Sequence, residues 1–526
     1  MNLQASSYKH KVFWLIAATF IARCILAAMV ELGNDEVYYY TYALQPDWNH
    51  FDHPPMVGLL IRFFTLNQHW LSELSMRLGA IVCAGIATWL IYCCGKLIRN
   101  ERTGWMAAIL YNLSVYTGII AGLFILPDSP QVVFWLGALY CILALVKMPQ
   151  TPGANRWLLL FGLLAGLTII SKIHGIFLWL GFGAYILLHD RKWLRNPYLY
   201  VAVLISCIVV SPVLFWNIRY DFITFRFHGE RVEVKQFAVD INSFLQTFFG
   251  QILYNNPLNI ILYAAAFFGL KKSGMPANIR NMLLWFSLPI IIVTTGVSLF
   301  RSTLPHWSGP GFIALMLMTA YVADAVAARR KSFYFTGLKI SAAVIVVALV
   351  AGVAAINFYP GTLNPNKDIK KHGQYDFTLD MSGWRSFGKA FEEVYKADLR
   401  SGIIKPGTPV LLENWFPAAH ILFYVNKGNN IPFKSVGSLN RLHKFAWLNL
   451  GKENIKQGQN AYFIASSNYF IDPAELYGND FSRIKLSKVL ASKRGGKTTR
   501  YFFIYHLLDA RKELLLTLPV VEKSAD

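Results

Sequence analysis

The first apolar run of the chain reads VFWLIAATFIARCILAAMVELGNDE over residues 12–36. Its first twenty residues are mainly apolar, and about 20 such residues cross the hydrocarbon core of a bilayer. A secretory signal has a shorter apolar core followed by a cleavage site, whereas this run passes directly into an acidic segment rich in tyrosine. The run therefore predicts a membrane-spanning helix that ends in a polar loop.

The rest of the chain is also rich in apolar residues. Of its 526 residues, 55% are hydrophobic and only 15% are charged, with a mean hydropathy of +0.39. Because soluble domains carry roughly 25% charged residues, this composition excludes a disordered or fibrous protein and argues against a soluble enzyme. We predict an all-α polytopic membrane bundle with about eleven spans. The predicted spans cover residues 12–31, 77–97, 104–124, 130–147, 157–171, 174–189, 198–216, 247–270, 281–300, 307–327 and 334–357. The fifth and sixth are short, which favours a broken or re-entrant pair around Lys172.

The distribution of Lys and Arg between the loops predicts which side of the membrane each loop faces. With a cytoplasmic N-terminus, the inner loops hold 16 Lys and Arg in 41 residues, whereas the outer segments hold 7 in 88. This bias follows the positive-inside rule. The net charge of +21 is therefore assigned to the inner membrane surface and its lipids, and nucleic acid is not an expected partner. Eleven spans place the rest of the chain in the periplasm.

The composition changes near residue 357, so we predict two domains, 1–357 in the membrane and 358–526 outside it. In the second, a helical stretch at 384–399 alternates with strand-like runs at 410–412 and 461–465. A hairpin is predicted between 484–490 and 501–505. This pattern indicates a mixed α/β domain, which we expect to select or position an acceptor.

Candidate site residues lie in the outer loops. Asp35 and Glu36 follow the first span among tyrosines, where a carboxylate is suited to act as a general base, although an acidic loop with an interfacial aromatic belt has the same pattern. Asp52 and His53 are suited to bind a divalent cation or a phosphate, and also to cap a helix. Asp128 begins a span with N-cap chemistry.

A basic, aromatic-rich patch follows the seventh span. Arginines of this kind bind phosphate or pyrophosphate, but they also extend to lipid headgroups. Its members are Arg219, Arg226, His228 and Arg231. Four further residues stand at the outer ends of other spans and are candidates for the same cavity: Lys172, His174, Arg301 and His306. Arg23, within the first span, is either functional or paired inside the bundle.

The sequence contains no Walker loop, no GxGxxG before a helix, no HExxH and no zinc-finger spacing. We therefore expect no nucleotide cofactor. A transferase without a nucleotide site would take its donor from the membrane.

The ordered set of outer motifs resembles bacterial glycosyltransferase family 39, which is related to dolichyl-phosphate-mannose protein mannosyltransferases and to the lipid A aminoarabinose transferase. The resemblance covers about residues 10–330. It is carried by Asn34-Asp35-Glu36, Phe51-Asp52-His53-Pro54-Pro55, Pro127-Asp128-Ser129-Pro130, Ser171-Lys172-Ile173-His174-Gly175 and Pro212 through Trp216-Asn217. It implies the GT-C fold, a helical bundle with its active site at the outer face.

The resemblance also assigns roles. It makes Asp35, with Glu36 beside it, the catalytic carboxylate, and it matches Asp128 to the second acidic position. Asp52 stands where the aminoarabinose transferase has a metal-binding glutamate, and His53 replaces a lysine next to it. His228 matches the other metal ligand, so a divalent cation is an open expectation. The phosphate of the donor would be bound by Lys172, Arg219, Arg226, Arg231 and His53.

The implied reaction moves a sugar from a polyprenyl-phosphate donor to a protein, lipid A or glycan acceptor on the outer face of the inner membrane. A transporter or lipid flippase is the main alternative, but it would more often show matching halves, and these halves differ. A non-catalytic scaffold is the third. The sequence leaves the sugar and the acceptor open.

Overall fold

A computed structural model describes residues 3–147, 152–232, 239–425 and 431–519. The first part of the chain is helical. Its helices α1 to α16 span Leu3–Met29, Asn34–Leu44, Met56–Phe64, Glu73–Ile98, Glu101–Asn112, Asp128–Lys147, Asn155–Ile169, Ile176–His189, Pro197–Arg219, Ile223–Val232, Ile241–Tyr254, Pro257–Ser273, Ala277–Trp285, Leu288–Val297, Gly309–Ala325 and Ala327–Phe358. The rest of the chain is mixed, with α17 Trp384–Arg400, β1 Val410–Leu412, α18 Trp415–Val425, β2 Phe433–Ser435, α19 Leu439–Leu442, β3 Ala461–Ser466, α20 Pro473–Tyr477, β4 Phe481–Arg494 and β5 Lys497–Ala510.

Within the described residues, six helical segments are long and apolar enough to cross a membrane. They are Tyr8–Met29, Glu73–Ile98, Asp128–Lys147, Pro197–Arg219, Ala277–Val297 and Phe333–Phe358. Each matches one of the eleven predicted spans. The polytopic helical architecture is therefore confirmed, whereas the full count of eleven stays a prediction.

The other predicted spans are shorter or interrupted. The run 104–124 contains α5 and then a π-helix at Tyr116–Ile120. The run 247–270 is divided where Asn256, with a φ of +65°, caps α12 and Pro257 begins it. The break predicted around Lys172 is present, since α7 ends at Ile169 and α8 begins at Ile176.

The chain forms two compact units. The first consists of residues 1–25, 47–64 and 77–348, and the second of 26–46, 65–76 and 349–526. The second unit therefore includes two segments of the first outer loop, 32–46 and 65–76, whereas the sequence predicts this loop as part of the membrane domain.

Close helix packing in the first unit depends on small residues. Gly162 and Gly166 on α7 face Ala202 and Ser206 on α9, and a Cβ at Gly162 would lie 2.3 Å from the carbonyl oxygen of Ala202. The hydroxyl of Ser206 donates to the carbonyl of Gly162. Such small-xxx-small contacts let helix backbones approach within a membrane. Because Lys172 follows α7 directly, this packing fixes its position.

The second unit contains a five-stranded sheet in the order β2-β1-β3-β5-β4. Strands β2, β1 and β3 are parallel, whereas β5 pairs antiparallel with β3 and β4. The predicted hairpin is confirmed: β4 and β5 meet at Gly495 and Gly496, whose φ values of +55° and +79° suit glycine. The amphipathic helix α17 also lies where the sequence placed it.

Candidate functional site

A buried ion pair lies in the first unit. Asp128, the first residue of α6, is 2% exposed, and Lys172 is 3% exposed. The ammonium nitrogen of Lys172 donates to both carboxylate oxygens of Asp128, at 2.8 and 2.9 Å. The hydroxyl of Tyr116 donates to the Oδ1 atom of Asp128 at 3.0 Å. A pair removed from water needs such additional hydrogen bonds to offset its desolvation.

A π-helix positions Tyr116. It spans Tyr116–Ile120, and Arg23 of α1 reaches it through a hydrogen bond from Nε to the carbonyl of Gly118 at 3.1 Å. The Nη2 atom of Arg23 donates to the side chain of Asn112 at 2.9 Å. Of the two roles open to Arg23, the structure shows pairing inside the bundle. Short π-helical turns are frequent at functional sites, and this one holds a partner of Asp128.

Three histidines lie close enough to the pair to respond to its charges. The charges of Lys172 and Asp128 act on His53, His174 and His306. Burial lowers the pKa of His53 to about 3 and the pKa of His306 to about 4, so both imidazoles are neutral at neutral pH. A neutral imidazole binds phosphate only by donating a hydrogen bond. The structure thus brings together Lys172, His174 and His306, as the sequence suggested, whereas Tyr116 carried no signal in the sequence.

The loop at 49–53 contacts α10. The hydroxyl of Thr224 donates to the carbonyl of His50 at 3.0 Å, and the rings of Phe51 and Phe227 lie 4.7 Å apart. These contacts place His228 beside the loop.

His228 contacts both candidate residues of that loop. Its Nε2 atom lies within hydrogen-bond distance of the backbone carbonyl of Asp52, and its ring lies 5.7 Å from the ring of His53. A carboxylate and two imidazoles are a reasonable donor set for a divalent cation. However, no group of three or more His, Cys, Asp or Glu within the described residues is arranged to hold a metal ion.

Two of the arginines predicted to bind the donor phosphate lie on the protein surface near α10. Arg219 and Arg226 are exposed: the guanidinium of Arg219 lies 5.6 Å from the ring of Tyr220, and Arg226 pairs with Asp221 at 2.7 Å. The side chain of Arg231 lies outside the described part of the chain. The described arginines therefore belong to the surface around α10 rather than to the buried pair.

The acidic motif opens helix α2 in the second unit. The Oε2 atom of Glu36 accepts a hydrogen bond from the backbone nitrogen of Gly33 at 2.9 Å, and Glu36 is only 2% exposed. This contact is the glutamate half of a capping box, since Gly33 at the N-cap has no side chain to form the other half. Asp35 is exposed in the same helical turn. The two neighbouring carboxylates thus differ: Glu36 caps the helix, and Asp35 faces outward.

Contacts between distant parts of the second unit surround the start of this motif, and the sequence alone does not reveal them. Glu31 accepts from the backbone nitrogens of Trp384 and Arg385, at 2.8 and 3.2 Å, at the start of α17. Burial raises the pKa of Glu31. The fully buried Arg500 lies 4.1 Å above the ring of Trp384. Because these partners are more than 350 residues from Glu31 along the chain, no local pattern reveals them.

Known proteins resemble this chain in sequence and in fold. Residues 52–216 match the dolichyl-phosphate-mannose-protein mannosyltransferase family. The lipid A galacturonosyltransferase RgtD of Rhizobium johnstonii is 22% identical over 344 residues, which are 64% of this chain and 68% of RgtD. The apo crystal structure of ArnT from Cupriavidus metallidurans matches with a TM-score of 0.66 at 15% identity, over 95% of this chain and 98% of ArnT. The chain has the GT-C fold.

A second structure of the same ArnT, bound to undecaprenyl phosphate, matches this GT-C chain with a TM-score of 0.59 at 15% identity, over 94% of this chain and 98% of ArnT. The resemblance to family 39 glycosyltransferases is thus confirmed. The matched family range of 52–216 holds Asp52, His53, Asp128 and Lys172, whereas Asp35 lies outside it.

Proposed function

We propose that this GT-C protein transfers a sugar from a polyprenyl-phosphate donor to an acceptor on the outer face of the inner membrane, with lipid A as the favoured acceptor over protein or another glycan. The observation that carries the proposal is the buried Asp128–Lys172 pair, which lies near three histidines and among apolar helices. The fold agrees with it, one relative is named a lipid A galacturonosyltransferase, and another binds undecaprenyl phosphate.

The proposed chemistry uses this chain's own residues. The carboxylate of Asp35 takes the proton from an acceptor hydroxyl, whose oxygen forms the new bond to the anomeric carbon. The bond from that carbon to the phosphate oxygen breaks, and the phosphate leaves with the electron pair. Negative charge grows on the leaving group, where Lys172 is the stabilising charge and the surface arginines near α10 are an additional, outer contact to the phosphate. Asp128 holds Lys172 in place for this role.

A divalent cation remains part of the proposal only as an addition, with Asp52 and His228 as its candidate ligands. When bound, it would supply positive charge next to the leaving phosphate. No step above depends on it.

The test is a transfer assay with the purified full-length protein, lipid A and a panel of undecaprenyl-phosphate sugars. Each reaction is run with and without a chelator. Mass spectrometry detects the new glycosidic bond. A transporter or flippase would move the lipid across a vesicle bilayer without forming a bond, and a scaffold would do neither.

We also propose that the protein lies in the inner membrane with a cytoplasmic N-terminus and residues 358–526 in the periplasm. The charge bias of the loops supports this orientation. Glu453→Cys, at an exposed position, is expected to react with an impermeant maleimide in cells whose outer membrane alone is permeabilised. Lys192→Cys, exposed in a predicted cytoplasmic segment, is expected to react only after the inner membrane is broken. The opposite labelling of the two positions would reverse the topology.

The donor phosphate gives a further prediction. Arg226→Ala is expected to weaken binding of an undecaprenyl-phosphate sugar by about ten- to a hundredfold, because a hydrogen bond to a charged group contributes about 1.5–3 kcal/mol. Asp221→Asn is the matched control: it removes the partner of Arg226 but keeps the guanidinium, so donor affinity is expected to be maintained. Unchanged affinity in Arg226→Ala, measured by titration calorimetry, would reduce this arginine to a headgroup contact.

A further inference from the structure

A loop of the second unit combines exposed aromatic side chains with exposed lysines and takes no part in the proposed mechanism. It covers residues 358–377 and follows α16, whose final residues, 349–358, belong to the same unit. Phe358 ends the apolar segment Phe333–Phe358, which is long enough to cross a membrane. The loop therefore begins where a membrane-spanning segment ends.

A buried arginine fixes this loop to the end of α16. Arg494, which is 5% exposed, donates to three backbone carbonyls at 2.7–2.9 Å, those of Ile356, Tyr359 and Gly361. The last carbonyls of a helix have no partner within it, so the guanidinium completes this helix end. The guanidinium also lies 4.0 Å from the buried carboxylate of Asp376. Only Arg494 therefore separates Asp376 from the last turn of the span.

Asp376 in turn holds two aromatic residues at the surface. Its carboxylate accepts hydrogen bonds from the backbone nitrogens of Leu363 and Thr378, at 2.7 and 2.9 Å, which ties down the surrounding backbone. The neighbours of Asp376 are Tyr375 and Phe377, whose side chains are 85% and 74% exposed. Aromatic side chains are enriched at membrane–water interfaces. An ordered, exposed aromatic pair so close to the end of a span indicates contact with the bilayer surface.

The tip of the β4–β5 hairpin adds positive charge beside the loop. A Cβ at Gly495 would lie 3.0 Å from the Cα atom of Pro360, so the tip packs directly against the residues that follow the span. The exposed charged residues of the loop and the tip are five lysines and one aspartate, Lys367, Lys370, Lys371, Lys493, Lys497 and Asp368. Lys370 pairs with Asp472 at 3.3 Å. The surface therefore carries an excess of positive charge.

We propose that this interfacial patch, residues 358–377 with the hairpin tip 493–497, lies in the headgroup region of the bilayer and binds anionic phospholipid. The headgroup region extends about 5–8 Å beyond the hydrocarbon, so a loop fixed to the end of a span lies within its reach. Lysines near a membrane surface attract anionic lipids. A bilayer is favoured over a protein partner because the span keeps the patch at the membrane. The contact holds the second unit at the bilayer by interactions of its own and does not depend on the transfer reaction.

The test uses the full-length protein in vesicles of phosphatidylcholine alone or of equal parts phosphatidylcholine and phosphatidylglycerol. Tyr375→Cys and Phe377→Cys are each labelled with an environment-sensitive fluorophore, and the unsubstituted protein gives the background of the native cysteines. A lipid with a nitroxide just below its headgroup is the quencher. Both labels are expected to be quenched, and more strongly in the anionic vesicles. Glu453→Cys, at an exposed position of the same unit, is the matched control and is expected to stay unquenched.

Replacing the lysines tests the charge. In the labelled Tyr375→Cys protein, Lys493→Gln/Lys497→Gln is expected to remove most of the additional quenching in anionic vesicles, since each lysine near an anionic surface changes lipid binding about fivefold. Lys485→Gln/Lys488→Gln, exposed on β4 away from the tip, is the control and is expected to change nothing.

Absence of quenching at both loop labels, or equal quenching of the Glu453→Cys label, would overturn the inference. Quenching that is the same in both kinds of vesicle, or an equal loss in the control lysine variant, would overturn the binding of anionic lipid by this patch.

Discussion

Asp35→Asn is expected to fold and to bind the lipid-phosphate donor but to lose sugar transfer by about 10²–10⁴-fold, the usual effect of removing a general base. Asp35 is exposed in the first turn of α2, where it can meet an acceptor from outside. An amide has the same shape as the carboxylate but does not take the hydroxyl proton. A negative charge at a helix start contributes about 0.3–1 kcal/mol to the free energy of unfolding, and this contribution is lost in Asp35→Asn.

Glu36→Gln is the matched control one residue away. Glutamine also closes a capping box, so this variant is expected to keep its fold and most of its activity. Both variants are compared at saturating donor, with product measured by mass spectrometry. An active Asp35→Asn with an inactive Glu36→Gln would move the base to Glu36. Full activity in both would refute proton abstraction by this motif.

The single helices and the hairpin turn could be predicted from the sequence, because each depends mainly on neighbouring residues. Long apolar runs gave the single helices, such as Pro197–Arg219, because hydropathy is a sum over neighbours. The hairpin turn at Gly495 and Gly496 followed from glycine's freedom at positive φ. The count of eleven spans stays a prediction, because the π-helix at Tyr116–Ile120 and the break at Asn256 interrupt runs whose hydropathy is continuous.

Some residues of the candidate site could likewise be predicted from the sequence, and others could not. Asp128 and Lys172 each stood out as polar residues at the ends of apolar runs, and the structure pairs them. Their partner Tyr116 lies inside an apolar run, where a tyrosine looks like any interfacial aromatic. The membership of residues 26–46 in the second unit was equally hidden, since it depends on contacts such as Leu32 with Tyr424, 392 residues apart.

The buried pair gives the second large effect. Asp128→Asn and Lys172→Met are each expected to lower the free energy of unfolding by about 3–5 kcal/mol, because either change leaves an uncompensated charge away from water. The double variant Asp128→Asn/Lys172→Met removes both charges, so it is expected to recover much of this loss. Thermal unfolding in detergent, compared across the three variants and wild type, measures the coupling between the two residues.

The rate of sugar transfer by the same variants then shows whether the Asp128–Lys172 pair serves folding or catalysis. If Lys172 stabilises the leaving phosphate, the double variant folds but transfers sugar at least a hundredfold more slowly, since the loss of one charge stabiliser costs about 2.7–4 kcal/mol of activation free energy. Asp324, a buried carboxylate of the same unit that pairs with Arg99 and Arg102, is the matched control. Asp324→Asn is expected to lose stability yet keep the kcat of its folded fraction. A double variant as active as wild type would make the Asp128–Lys172 pair purely structural, and the charge that stabilises the phosphate would then have to come from the arginines near α10.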